Sequence, residues 1–179
     1  GESAIGHAPE RLRRVWMESE GAEGAVASEA ALEAIRQAEL IVIGPGSLYT
    51  SILPNFLVRG VSETVAASSA PKVFVCNVAT QPHETDGYGV AEHFNVFKSY
   101  SGVSLTHVLV NSNVRPLPED WEQVAISPVS RIDGFEGDVV LADVVDAGFP
   151  TRHDPHMLAR AILAIKRHQR KARRTVNEE

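Results

Sequence analysis

The 179 residues include 44% hydrophobic and 22% charged side chains and carry a net charge of −6, which is typical of folded globular domains and unlike disordered chains. No apolar run reaches the roughly 18 residues of a membrane span, no secretory signal is visible, and the acidic body argues against a nucleic-acid partner. Because Cys76 has no second cysteine to pair with, we expect a reducing, cytoplasmic compartment.

The first part of the chain predicts helices alternating with strands. Residues 13–18 suggest a short strand, and Ser28 is a typical N-cap for a helix that runs to residue 38. The continuous apolar segment 40–43 then predicts a buried strand. Two short helices are expected at 51–57 and 62–69.

The second part repeats this alternation. Residues 72–78 and 106–111 predict buried strands, with a helix at 90–100 between them, and residues 138–145 suggest an edge strand. Asp154 as N-cap and Pro155 at the first helical position mark the start of the last helix. Continuous apolar strands separated by helices predict an α/β domain with a three-layer, Rossmann-like parallel sheet covered by helices on both faces.

We expect residues 1–179 to form one α/β domain. The opening residues do not resemble the start of an independent domain, so we expect a piece of a longer fold. The basic helix end and tail, 166–179, contains six Lys and Arg residues and no acid up to residue 174. These cations complement a helix dipole, or they form a patch for nucleic acid or a membrane surface; the acidic body favours the dipole.

The segment 40–55 has the strongest pattern for ligand binding. A buried strand leads into Gly44-Pro45-Gly46, where glycines allow the backbone to approach a ligand, and the following helix start offers N–H groups to an anion. The segment is neither a Walker A loop nor a dinucleotide fingerprint, because no Gly-Lys-Ser/Thr follows and Tyr49 replaces the third glycine. The hydroxyls that would donate to phosphate oxygens belong to Ser47, Thr50 and Ser51. The alternative is an ordinary turn with Ser47 or Thr50 as the helix cap.

Two further segments carry polar groups at strand or helix ends. Neutral side chains suited to a sugar or base are Asn77, Thr80, Gln81 and Thr85. Arg152, just before the last helix, offers a fork of charged donors to a phosphate. His83, Glu84, Asp86 and His93 match no compact metal spacing, so we predict no metal site.

Residues 41–58 (IVIGPGSLYTSILPNFLV) and 72–88 (KVFVCNVATQPHETDGY) closely resemble the gluconeogenesis factor family, the YvcK branch of the CofD-like proteins. The chain departs from the family pattern at Phe56, at Ala79 where methionine is usual and at His83 where glycine is usual. The resemblance covers essentially the whole chain. It implies the C-terminal part of the family fold, because the glycine-rich turn of the upstream half is not found here.

The resemblance implies a binding protein for a nucleotide sugar of the UDP-N-acetylglucosamine type, required for cell shape during gluconeogenic growth. It gives no catalytic residue and leaves a homo-oligomer open. The implied ligand-binding residues are Gly44, Gly46, Ser47, Leu48, Thr50, Ser51, Asn55, Asn77, Thr80, Gln81, Thr85 and Arg152.

The alternative is a CofD-like transferase that moves a phospholactyl group from a nucleotide-activated donor to a deazaflavin acceptor. Only this alternative calls for a cofactor, magnesium held by Glu84 or Asp86. It is disfavoured because Ser47 and Leu48 stand where the transferase branch has an Asn-Pro pair.

Overall fold

The computed structural model describes residues 11–18 and 24–176, with side chains described as far as residue 168. Four parallel strands pair in chain order in one sheet. They are β1 (Ile41–Ile43), β2 (Lys72–Val75), β3 (His107–Asn111) and β4 (Asp138–Ala142). Because every pair is parallel, the carboxyl ends of all four strands lie along the same edge of the sheet. The predicted parallel α/β architecture is confirmed.

Five α-helices and one π-helical turn accompany the sheet in the described part of the chain. They are α1 (Glu29–Gln37), the π-helical turn (Leu48–Ile52), α2 (Leu53–Leu57), α3 (Val61–Ala67), α4 (Val90–Ser101) and α5 (Pro155–Val176). Both predicted N-caps are present. The Ser28 hydroxyl accepts a bond from the Ala31 N–H at 3.3 Å, and the Asp154 carboxylate accepts two N–H bonds at the start of α5.

The sheet lies between two layers of helix. On one face, Phe74 and Val108 pack with residues of α2 and α4, where the Phe74 and Phe97 rings stack at 5.2 Å. On the other face, Val73, Val75 and Leu109 pack against the apolar side of α5, Leu158 and Ile165. Every residue of β2 and β3 is buried, which is the pattern expected of central parallel strands.

Several element boundaries differ from the predictions. The strand predicted at 13–18 is wrong: this segment is held by single bonds, such as the Val15 N–H to the Tyr100 hydroxyl at 3.0 Å, and forms no ladder. Helical structure begins at Leu48 and not at residue 51, because Ser47 caps it. Strand β2 ends at Val75, because the chain beyond it turns to meet residues 124–126.

The basic C-terminal end lies partly outside the described residues. Helix α5 extends to Val176, and the Lys166 ammonium forms an ion pair with Glu39 at 2.8 Å. Residues 177–179 and the side chains beyond residue 168 lie outside the described part, so the predicted role of these cations stays a prediction. Among the described residues, no helix combines the length and apolar character needed to cross a bilayer.

Two buried histidines and one half-buried histidine should make the folding free energy pH-dependent. Burial lowers the pKa of His93, His107 and His153, against weaker opposing effects of nearby carbonyls or carboxylates. Below about pH 6.5 the histidines of the unfolded chain bind protons, whereas the same side chains in the folded chain stay neutral to a lower pH. We therefore expect the free energy of unfolding to fall between pH 7.5 and 5.5. Urea unfolding at both pH values measures this change, and His93→Gln should reduce the difference. Equal stability at the two pH values would contradict the prediction.

Candidate ligand-binding site

A cleft of about 520 Å³ lies at the carboxyl ends of β1 and β2. Four segments line it: the turn after β1, the loop after β2, the segment around residue 123 and the residues just before α5. The lining residues are Pro45, Gly46, Ser47, Asn77, Val78, Ala79, Thr80, Gln81, Gln123, Thr151, Arg152 and His153. The three segments singled out in the sequence therefore meet in one place, with a volume within the range of small-molecule sites.

The turn after β1 depends on its glycines. Gly44 has φ +86°, in the left-handed region, and a Cβ there would lie 3.2 Å from the Val75 carbonyl oxygen. The Asn77 side-chain amide donates to the Gly46 carbonyl at 3.0 Å, which ties the turn to the end of β2. Because Gly46 has no side chain, its backbone lines the cleft directly.

Glu84 joins two of the segments that line the cleft, the turn after β1 and the loop after β2. The residue is only 4% exposed, and its carboxylate accepts the Ser47 hydroxyl at 2.6 and 2.7 Å and the Tyr49 N–H at 3.1 Å. An acid of the protein itself thus occupies the electropositive start of the helical segment, where the sequence pattern suggested an external anion.

The hydroxyls of the turn are engaged with one another. The Ser47 hydroxyl donates to Glu84 and accepts the Thr50 N–H at 3.2 Å, and the Ser47 and Thr50 hydroxyls also contact each other. A hydroxyl has one proton to donate. In this arrangement, therefore, the Ser47 proton is directed at Glu84 and is not available to a phosphate oxygen.

The loop after β2 is held by a segment far along the chain. The Thr80 N–H donates to the Val124 carbonyl at 2.8 Å, and the Thr80 hydroxyl accepts the Val124 N–H at 2.9 Å. These bonds bring Gln123 into the lining. Sequence reasoning missed Gln123, because no local pattern marks a residue that a long-range backbone pairing places.

Arg152 and His153 close the side of the cleft next to α5. The guanidinium of Arg152 lies over the Phe149 ring, 5.5 Å from its centroid. The His153 Nε2 lies 3.2 Å from the Cys76 carbonyl and donates to it, because a carbonyl only accepts. Burial lowers the pKa of His153, so its ring is neutral near pH 7. His153 was also missed, although its position beside Arg152 was a usable signal.

The predicted site residues divide into two groups. Those that line the cleft are Gly46, Ser47, Asn77, Thr80, Gln81 and Arg152. Those outside the lining are Gly44, Leu48, Thr50, Ser51, Asn55 and Thr85. Leu48 and Thr85 are fully buried, and the Asn55 amide donates to the Ser51 carbonyl at 2.6 Å, so these three have structural roles here.

The chemistry of the lining suits an anion with neutral polar parts. Among the lining residues, Arg152 is the one permanent cation, and no Asp or Glu is present. The remaining polar groups are amides, hydroxyls and one neutral imidazole. Within the described residues, no three His, Cys, Asp or Glu side chains are grouped to hold a metal ion.

His83 has the left-handed conformation that glycine adopts without strain. Its φ is +62°, and its carbonyl accepts the Leu12 N–H at 2.8 Å. This conformation gives the physical reason for the glycine that is usual at this position in the resembling family.

Comparison with known proteins places the chain among a group of related sequences. The family described as 2-phospho-L-lactate transferase CofD matches residues 1–136. The gluconeogenesis factor of Bacillus subtilis is 36% identical over 173 residues, which cover 92% of this chain and 54% of that protein. The gluconeogenesis factor of Halalkalibacterium halodurans is 46% identical over 105 residues, covering 59% of this chain and 32% of that protein.

The fold has a solved counterpart. A crystal structure of a UPF0052 family member from Bacillus halodurans superimposes with a TM-score of 0.77 at 33% identity, covering 91% of this chain and 54% of that one. The chain spans about half or less of the length of the curated relatives it matches.

Removing the Glu84 carboxylate should lower the stability of the fold, because it joins the turn after β1 to the loop after β2. Glu84→Ala leaves the half-buried Ser47 hydroxyl and the buried Tyr49 N–H without their acceptor, and we expect the free energy of unfolding to fall by roughly 2–4 kcal/mol. Glu84→Gln keeps one acceptor oxygen and should lose about half as much. Urea unfolding measures both, with the exposed Glu119→Ala as the matched control. A Glu84→Ala variant as stable as the control would contradict this role.

Proposed function

The chain belongs to the CofD-like family, in its gluconeogenesis factor branch, and from this premise we propose that its cleft binds a nucleotide sugar of the UDP-N-acetylglucosamine type. The observation that carries the proposal is the convergence of three separate segments on one cleft with a single cation and no acid in its lining.

The phosphate groups of this ligand lie between the glycine turn and Arg152. The guanidinium supplies paired charged donors, which suit the planar edge of a phosphate. Gly46 has no side chain to keep a phosphate away from the backbone of the turn. The Ser47 hydroxyl contributes through Glu84 by fixing this turn, since its proton is already directed at the carboxylate.

The sugar or base contacts the neutral amides and hydroxyls of the lining. Asn77 and Gln81 follow β2, Gln123 comes from the segment that pairs with Thr80, and Thr151 comes from the residues before α5. Such groups both donate and accept hydrogen bonds, so they recognise hydroxyls, amides and ring carbonyls without adding charge. The lining therefore supports a ligand whose charge is confined to its phosphates.

The protein acts as a cytoplasmic binding and regulatory protein, required for cell shape during growth on gluconeogenic carbon sources. The relatives named gluconeogenesis factor support the link to gluconeogenic growth. The test uses cells that lack the protein. A variant that does not bind the ligand should fail to restore their normal shape, whereas the unmodified protein should restore it.

A second candidate, a phospholactate transferase, is supported by the name of the matching family. The two carboxylates that would hold magnesium are Glu84 and Asp86. Neither lines the cleft, and the Glu84 oxygens already accept bonds from Ser47 and Tyr49. We therefore favour the binding function.

Ligand binding should raise the thermal midpoint. At a hundred times its dissociation constant a ligand stabilises the folded state by about 2.7 kcal/mol, which corresponds to roughly 5–10 °C for a chain of this size. We expect this shift with UDP-N-acetylglucosamine and a smaller one with UDP. Arg152→Ala should raise the dissociation constant about 10- to 100-fold through loss of charge-assisted bonds.

The control is Arg131→Ala, which removes an equally charged side chain that is 87% exposed and outside the lining. Its affinity should equal that of the unmodified chain. A stability response to guanosine nucleotides with magnesium, and none to UDP-sugars, would contradict the proposal and favour the transferase.

A further inference from the structure

The turn that carries Arg152 is closed by a set of hydrogen bonds. The Asp146 carboxylate accepts the Gly148 N–H at 2.7 Å and the Phe149 N–H at 2.8 Å. The Asp146 N–H donates to the Arg152 carbonyl at 2.9 Å, and the Arg152 N–H donates to the Phe149 carbonyl at 2.8 Å. The backbone therefore holds Phe149 and Arg152 side by side, whatever their side chains contact.

The Phe149 side chain has no place in the core of the fold. It is 59% exposed and belongs to neither of the two apolar clusters that cover the sheet. An exposed aromatic ring gains little from the hydrophobic effect, so Phe149 adds little to the stability of the core. The ring contacts the guanidinium of Arg152 at a distance within the range of a cation–π interaction.

We propose that Phe149 is a positioning residue that holds the Arg152 guanidinium at the wall of the cleft before the ligand arrives. An unsupported arginine side chain has many rotamers and loses that freedom when it binds a phosphate. Contact with the aromatic ring restricts those rotamers in the free protein. The inference rests on the proposed function, because it assigns Arg152 to the phosphate of the ligand.

The ring contact is also compatible with a phosphate contact. A cation–π contact uses the face of the planar group, whereas a phosphate contacts its N–H edge. Both contacts therefore form at the same time. Lysine at position 152 would lack the planar face and edge, so Phe149 is matched to arginine in particular.

The test is a double-mutant cycle on the dissociation constant for UDP-N-acetylglucosamine, measured by titration calorimetry. Phe149→Leu keeps an apolar side chain but removes the ring, and it should weaken binding about two- to fivefold, the size of an exposed cation–π contact. Phe149→Tyr should restore the original affinity. In an Arg152→Ala background the same Phe149→Leu change should have no effect.

Each departure from this pattern has a distinct meaning. Unchanged affinity in Phe149→Leu, with weaker binding in Arg152→Ala, would overturn the inference and leave the proposed function intact. An equal loss from Phe149→Leu in the Arg152→Ala background would also overturn it, because the ring would then contact the ligand directly.

A second measurement does not need a ligand. The NMR order parameter of the Arg152 Nε–H group reports the mobility of the guanidinium on the picosecond-to-nanosecond timescale. It should fall in Phe149→Leu and be retained in Phe149→Tyr. An unchanged order parameter would overturn the inference even if no nucleotide sugar bound to the protein.

Discussion

The cleft depends on one buried carboxylate. Glu84 lies in the loop after β2 but accepts its hydrogen bonds from the turn after β1, so two segments 37 residues apart form one unit. A buried charge is expensive unless it is surrounded by donors, and here a hydroxyl and a backbone N–H meet that requirement. The geometry of the glycine turn and the start of the π-helical segment both follow from this arrangement.

The parallel sheet explains why the loops can meet at all. Neighbouring parallel strands place their carboxyl ends at one edge, so polar residues that follow β1 and β2 come together although they are distant in the chain. Helix α5 then packs on one face and brings Arg152 and His153 to the same edge. The sheet supplies proximity, and the hydrogen bonds of the loops supply the detailed shape.

The features predicted correctly from sequence were those determined by local patterns. The apolar runs of β2 and β3 and the caps at Ser28 and Asp154 all appear where the pattern placed them, within a few residues. Gln123 was missed, because its place depends on the bonds between Thr80 and Val124, which leave no mark in the nearby sequence.

Ser47 as a helix cap was one of the two alternatives, but its bond to Glu84 was missed for a related reason. The sequence shows that hydroxyls follow the glycine turn, but it does not show whether their protons point outward or toward an acceptor. In the structure Glu84, from another loop, receives the Ser47 proton. The direction of a hydrogen bond is thus a property of the assembled site and not of the segment.

The bonds between Thr80 and Val124 also bear on the order of folding. They join residues 44 positions apart, and the lining as a whole extends from Pro45 to His153. Closing long loops carries an entropic penalty that must be met before the contacts form, so such pairings complete later than local turns and helices. A chain that has formed its helices but not this pairing still lacks a wall of the cleft. The candidate site is therefore complete only when these long-range contacts are in place.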